Sequence, residues 1–217
     1  MSNRPQLAVF HHHPQCSTDC CQGLKTALSQ DFDLDFFGTE QFTGTLNSEP
    51  RAIIFPGGIG DADSYYDFFS RRQGNELAQY LNPGGKYVGI CMGAYWAGSR
   101  YFDLLDNLDV VQYIKRPSAD IRRSYATIAH VIWQQQAHDM FFYDGCTFEG
   151  STTSYEVVAT YANGDPMAIV QGQLARMGCH PESQKYWYEK PYLKNYWHHG
   201  QHHLLLKNLL KTFKKLS

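Results

Sequence analysis

The sequence predicts an α/β fold with a mainly parallel central sheet covered on both faces, and three observations carry that prediction. Short apolar, β-rich runs alternate with segments of helical spacing through the first half of the chain, and this alternation builds parallel strands joined by crossover helices. Glycine and proline punctuate the alternation at Pro56-Gly57-Gly58 and Pro83-Gly84-Gly85. The 217 residues, 43% hydrophobic and 15% aromatic, suffice for one domain with a full core.

Each element follows from its local pattern. "QLAVFHH" is an apolar run ending before a proline and reads as a first buried strand. "STDCCQGLKTALSQ" offers Ser17 and Thr18 as helix caps and places Leu24, Ala27 and Leu28 at helical spacing. "DLDFFG" and "RAIIFPGG" are the second and third strands, and "GNELAQYLNPGG" is a helix ended by Pro-Gly-Gly. "KYVGIC" is the fourth strand, and "MGAYWAGS" opens a helix directly after it. The second half changes character. "YATIAHVIW" and "MFFYDGCTF" read as strands, and "YEVVATYANGDPMAIVQ" reads as an added β-hairpin turning at Asn163-Gly164. "GQLARMGCHPES" is a last strand breaking at Pro181, and a helix is expected over roughly 197–215. No linker or repeat divides the chain, so residues 1–217 are expected to form one domain with a C-terminal helix.

Composition excludes several classes of function. Nineteen Lys and Arg against 21 Asp and Glu leave a net charge of −2, which gives no electrostatic case for nucleic acid. No stretch has the apolar length of a membrane span, and no signal peptide is visible. The basic tail "KNLLKTFKKLS" reads as the polar face of a docked helix rather than a membrane-surface helix. The six cysteines show no regular disulfide spacing, so a cytoplasmic protein with reduced thiols is expected. An export signal ahead of residue 1 would reverse that expectation.

Open parallel sheets bind ligands beyond the carboxyl ends of their strands. Three stretches there carry chemistry. In "GICMG", Cys91 sits on a strand-to-helix turn with Gly89 and Gly93 on either side. Such a turn exposes its residue in a strained conformation and aims the Met92 N–H at the same spot. A buried cysteine in a tight turn is the competing reading. In "FPGGIGD", Gly58 or Ile59 can supply a second oxyanion N–H, although the stretch alone is only a turn. In "CHPE", His180 and Glu182 are two residues apart. Strand alternation would place both side chains on one side, with Glu182 orienting His180 toward Cys91 and Cys179 turned into the core. A surface histidine is the alternative.

The ordered set "FPGG", "GICMG" and "CHPE", spanning roughly residues 6–183, resembles the class I glutamine amidotransferase superfamily. Within it, "FPGGIGDADSYY" and "GGKYVGICMGAYWAGS" look most like the N-terminal domain of biotin–protein ligases, here expected to stand alone. The resemblance implies a flavodoxin-like three-layer sandwich, a Cys91–His180–Glu182 triad, and an oxyanion hole at Gly58 and Met92. Glutaminases of this superfamily carry Gln four residues after the nucleophile, where this chain has Tyr95. Nothing here resembles an ammonia-accepting synthetase or a ligase adenylate site.

The function expected is a cysteine-dependent hydrolase or amidotransferase-like enzyme acting on an amide or related acyl bond of a small molecule, without a cofactor. The alternative is a non-catalytic binding or regulatory module. Gly57, Ile59, Asp61, Tyr65 and Tyr95 are the candidate substrate contacts, with Asp63 and Tyr66 in the same loop; an ordinary polar loop is the other reading. Metal binding is not expected. The cluster His11, His12, His13, Cys16, Cys20 and Cys21 has zinc-ligand chemistry but no standard spacing, and Cys16 with Cys20 or Cys21 can instead form a disulfide. In "HHGQHH", His198/His202 and His199/His203 are i,i+4 pairs, read as a solvated helix face because no third ligand accompanies them.

Overall fold

The computed structural model describes residues 4–11, 17–58, 60–151 and 153–212. In chain order the elements are β1 (Gln6–Phe10), α1 (Thr18–Leu28), β2 (Asp33–Phe37), α2 (Phe42–Asn47), β3 (Ala52–Phe55), α3 (Arg71–Leu81), β4 (Tyr87–Ile90) and α4 (Met92–Trp96). There follow β5 (Leu108–Gln112), β6 (Thr127–Trp133), β7 (Gln136–Phe142), β8 (Cys146–Gly150), β9 (Glu156–Tyr161), β10 (Pro166–Gln171), β11 (Leu174–Met177) and α5 (Gln201–Thr212).

Nine strands form one sheet in the order β2-β1-β3-β4-β11-β10-β9-β6-β7. The first five are mutually parallel. From β11 onward the sheet continues antiparallel through the expected hairpin and its neighbours. β5 and β8 form a separate antiparallel pair.

The central strands are continuous apolar runs because both faces are buried. Leu7 and Val9 point into one core with Leu24 and Leu28 of α1 and Leu206 and Leu210 of α5. Ala8 and Phe10 point into the other, with Phe42 of α2, Leu77 of α3 and Trp96 of α4. The two helical layers and the sheet make the three-layer sandwich. Much of the aromatic content goes into the second core, where Phe10, Phe55, Phe69, Trp96 and Phe102 pack ring against ring.

Three features depart from the sequence expectation. α2 is a helix that "FTGTLN" hides, since Gly44 and two threonines have poor helix propensity; Phe42 and Leu46 pin it to the core. The stretch "MFFYDGCTF" is not one strand: it ends β7, turns at 143–145 and begins β8. The last helix begins at Gln201 rather than near 197.

The β5–β8 pair joins the main sheet where Gly145 and Gly178 meet. A Cβ on Gly178 would run into the Cys146 carbonyl and the Tyr161 hydroxyl, and one on Gly145 into the Gly178 carbonyl. Gly178→Ala is therefore expected to lower the free energy of urea unfolding by about 1–3 kcal/mol or more. Gly44→Ala, in a helix with nothing within 4 Å of the new methyl, should raise it by about 0.5–1 kcal/mol.

Candidate functional site

Cys91 lies between β4 and α4 with φ 49° and ψ −104°, a conformation that costs a non-glycine residue on the order of 1–3 kcal/mol. The surroundings impose it. The Cys91 N–H donates to the Met177 carbonyl at 2.9 Å, and the Cys91 carbonyl accepts from Ala94 N at 2.9 Å and Tyr95 N at 3.1 Å. Gly89 and Gly93 let the turn close: a Cβ on Gly89 would sit 2.5 Å from the Gly93 carbonyl, and one on Gly93 would overlap the Phe55 carbonyl. The Cys91 thiol donates to the Tyr143 carbonyl at 3.4 Å.

His180 and Glu182 follow β11, in a turn rather than on the strand itself. The expected pairing is present, but turn geometry brings it about: Ser183 N donates to the His180 carbonyl at 3.2 Å. His180 Nδ1 lies 2.9 Å from Glu182 Oε1, and both side chains are buried. Burial opposes charge on His180, yet the Glu182 carboxylate and interactions with the Cys91 and Cys20 sulfurs outweigh it and hold the imidazole pKa well above its usual value. Cys179 is fully buried in the core, as alternation predicts.

Sequence reasoning missed the role of α1. Cys20 Sγ lies 4.0 Å from His180 Nδ1, and burial above all pushes the Cys20 thiol up to about 11. Cys21 points the other way, toward the Phe10 carbonyl. The N-terminal His/Cys cluster therefore does not converge among the described residues; His12, His13 and Cys16 lie outside them. Gly23 of α1 admits the turn, since a Cβ there would sit 2.5 Å from the Glu182 carbonyl.

A cleft of about 450 Å³ opens over Cys91. Gly58, Asp61, Met92 and Tyr95 line it, joined by Arg100, Tyr101, Gln112, Lys115, Tyr143 and Asp144. The Tyr95 hydroxyl donates to the Asp144 carbonyl at 3.3 Å. Two expected contacts lie elsewhere. Tyr65 is buried in the aromatic core against Phe69, Trp96 and Phe102, because the short helical turn at Ala62–Asp67 aims it inward. Gly57 instead packs behind the imidazole, where a Cβ would sit 2.6 Å from His180 Cε1. Ile59 lies outside the described residues. The wall at 143–145 was legible in principle, as an Asp-Gly turn signal inside an apolar run.

The His198/His202 pair of "HHGQHH" does not lie on a solvated face, whereas His199 is exposed and His203 half-buried. His198 and His202 are buried and stacked at 4.1 Å. His198 Nδ1 accepts from Gly200 N at 3.1 Å and His202 N at 3.3 Å, capping α5, while its Nε2 lies 3.2 Å from the Ser183 carbonyl. His203 Nε2 donates to that same carbonyl at 2.9 Å. The cluster thus buttresses the residue next to Glu182.

Residues 12–113 match the family described as "Biotin-protein ligase, N terminal", a span that includes Cys91 and ends before His180 and Glu182. No curated protein sequence matches the chain. Among solved structures, a glutamine amidotransferase of Thermotoga maritima has a TM-score of 0.63 at 13% identity, covering 98% of this chain and 97% of its own. Another glutamine amidotransferase has a TM-score of 0.60 at 18% identity, covering 81% of this chain and 90% of its own. A glutamine amidotransferase of Methylobacillus flagellatus has a TM-score of 0.57 at 11% identity, covering 87% and 74%. The resemblance read from the motifs therefore holds: the N-terminal half matches the biotin–protein ligase model, and the fold is that of glutamine amidotransferases.

The buried histidines make stability depend on pH. Burial first, then neighbouring imidazoles, lowers His198 to about 4 and His202 to about 3. Below about pH 6.5 the unfolded chain binds protons that the folded chain refuses, so stability falls by up to about 1.4 kcal/mol per pH unit per histidine. His180, raised in the fold, works in the opposite sense, gaining stability as pH falls toward the unfolded histidine pKa, and does not contribute to this loss. The melting temperature is expected to fall from pH 6.5 to 5, before most carboxylates titrate, and to fall less steeply in His202→Leu. A flat profile over that window would contradict the assignment.

Proposed function

We propose that this chain is a cysteine-dependent hydrolase or amidotransferase-like enzyme, acting on an amide or related acyl bond of a small molecule through Cys91, His180 and Glu182. One observation carries the reading: a cysteine in a strained strand-to-helix turn lines a cleft, and an imidazole oriented by a buried carboxylate has its pKa raised by that carboxylate first and by the cysteine next. The fold shared with glutamine amidotransferases agrees with it.

In this mechanism Cys91 passes its proton to His180, and the sulfur attacks the substrate carbonyl carbon. The electron pair of the C=O bond moves to oxygen. The N–H of Met92, in the first turn of α4 where such groups lack intrahelical acceptors, and the N–H of Gly58 receive that oxyanion, each worth about 3 kcal/mol of barrier. Collapse expels the leaving amine, which takes the proton from His180. Water, deprotonated by His180, then cleaves the thioester and regenerates the Cys91 thiol. Glu182 holds the Nδ1 proton throughout, leaving Nε2 for the exchange.

A non-catalytic binding module is the second reading. Tyr95, four residues after Cys91, reaches across the cleft to the Asp144 carbonyl and narrows the space a glutamine side chain would need.

Iodoacetamide near neutral pH is expected to label Cys91 ahead of the other thiols. In a screen of small amides, esters and γ-glutamyl compounds, Cys91→Ser should lose at least about 10³-fold in turnover, and Glu182→Gln about 10²–10⁴-fold in kcat. Equal labelling of all thiols together with no substrate consumed would leave the binding reading standing.

A further inference from the structure

We propose that Cys20, His180 and Glu182 form a binding site for a thiophilic divalent cation, best matched by Zn²⁺. Binding there is independent of the enzymatic reading above; only its effect on turnover rests on that reading.

The donor set is a thiol, an imidazole nitrogen and a carboxylate, the three ligand types zinc uses. One ligand atom from each lies within 4.8 Å of the other two. The Cys20 Sγ–His180 Nδ1 distance is 4.0 Å and the His180 Nδ1–Glu182 Oε1 distance is 2.9 Å. These separations bracket the roughly 3.3–3.8 Å between ligands on a tetrahedral ion with bonds of about 2.0–2.3 Å. A second observation points to a cation independently of that spacing. Glu182 is fully buried, and its Oε2 has no hydrogen-bond partner among the described residues. A buried carboxylate oxygen without a donor is costly, and a metal ion satisfies it.

The site is also supported from outside. Cys20 Sγ and the His180 ring both pack against bare Gly57, where a Cβ would sit 2.9 Å and 2.6 Å from them. Gln184 Nε2 donates to the Glu182 carbonyl at 3.0 Å, and His203 and His198 hold the next carbonyl, that of Ser183. Such outer contacts fix ligand orientation. One thiolate and one carboxylate balance the double charge of the ion. Binding displaces the Cys20 thiol proton and the Nδ1 proton of His180 to solvent; no electron is transferred. With Nδ1 on the metal, Glu182 no longer orients the imidazole, so the bound ion inhibits the proposed reaction.

The test uses the full chain, stripped with chelator and dialysed against Zn²⁺ or Co²⁺. Wild type and Cys91→Ser should each bind one ion per chain. The Co²⁺ form should show a thiolate-to-metal charge-transfer band, which capture by the histidine-rich segments would lack. Cys20→Ser and Cys20→Ala should weaken binding at least about 100-fold and lose the band, with unfolding of the metal-free variants unchanged or nearly so. Absence of stoichiometric binding, binding without the thiolate band, or loss of binding in Cys91→Ser but not in the Cys20 variants each overturns the site. Failure of the enzymatic reading shows differently, as missing turnover in metal-free wild type.

Discussion

The site depends on glycine main chain packing against neighbouring groups where no side chain fits. Gly93 lies against the Phe55 carbonyl, Gly23 against the Glu182 carbonyl, Gly57 against the His180 ring, and Gly178 against the Cys146 carbonyl. Each contact joins two segments far apart in sequence, and together they draw α1, β3, β4 and the turn after β11 onto one edge of the sheet. Close-packed interiors do not yield easily. The imidazole and carboxylate are therefore placed by the fold itself, and the conformation of Cys91 is tolerated because its carbonyl and N–H are already engaged.

Electrostatics follow from that placement. Glu182 is buried beside His180, and its carboxylate raises the imidazole pKa despite the desolvation that opposes it. Behind it, the opposite outcome prevails at His198 and His202, where burial brings no carboxylate and the rings stay neutral. The buried imidazole of His180 and those of His198 and His202 are thus shifted in opposite directions, decided by whether an anion shares the pocket. His198 and His203 anchor α5 to the turn that carries His180.

Much of this was legible from residues alone, and the rest was not for identifiable reasons. Leu7 through Phe10 announce a doubly buried strand, and the glycines around Cys91 announce a sharp turn, because both signals are local. The helix at Phe42–Asn47 escaped because tertiary packing of Phe42 and Leu46 overrides weak propensity. The pairing of His180 with Glu182 was expected from strand alternation and is made instead by a turn, so the contact was right and its cause was not. Tyr65, His198 and His202 looked polar and exposed; the burial of Tyr65 and His198 depends on partners, Phe102 and Ser183 among them, that no spacing rule connects. Cys20 beside His180 is a contact across 160 positions.

The cleft wall at 143–145 offers its carbonyl groups to its neighbours: Tyr143 O to the Cys91 thiol and Asp144 O to the Tyr95 hydroxyl. Peptide carbonyls are identical whichever amino acid bears them. Replacement of either wall side chain can thus recolour the cavity while both acceptors persist, so evolutionary drift in recognition is uncoupled from upkeep of the thiol's resting partner.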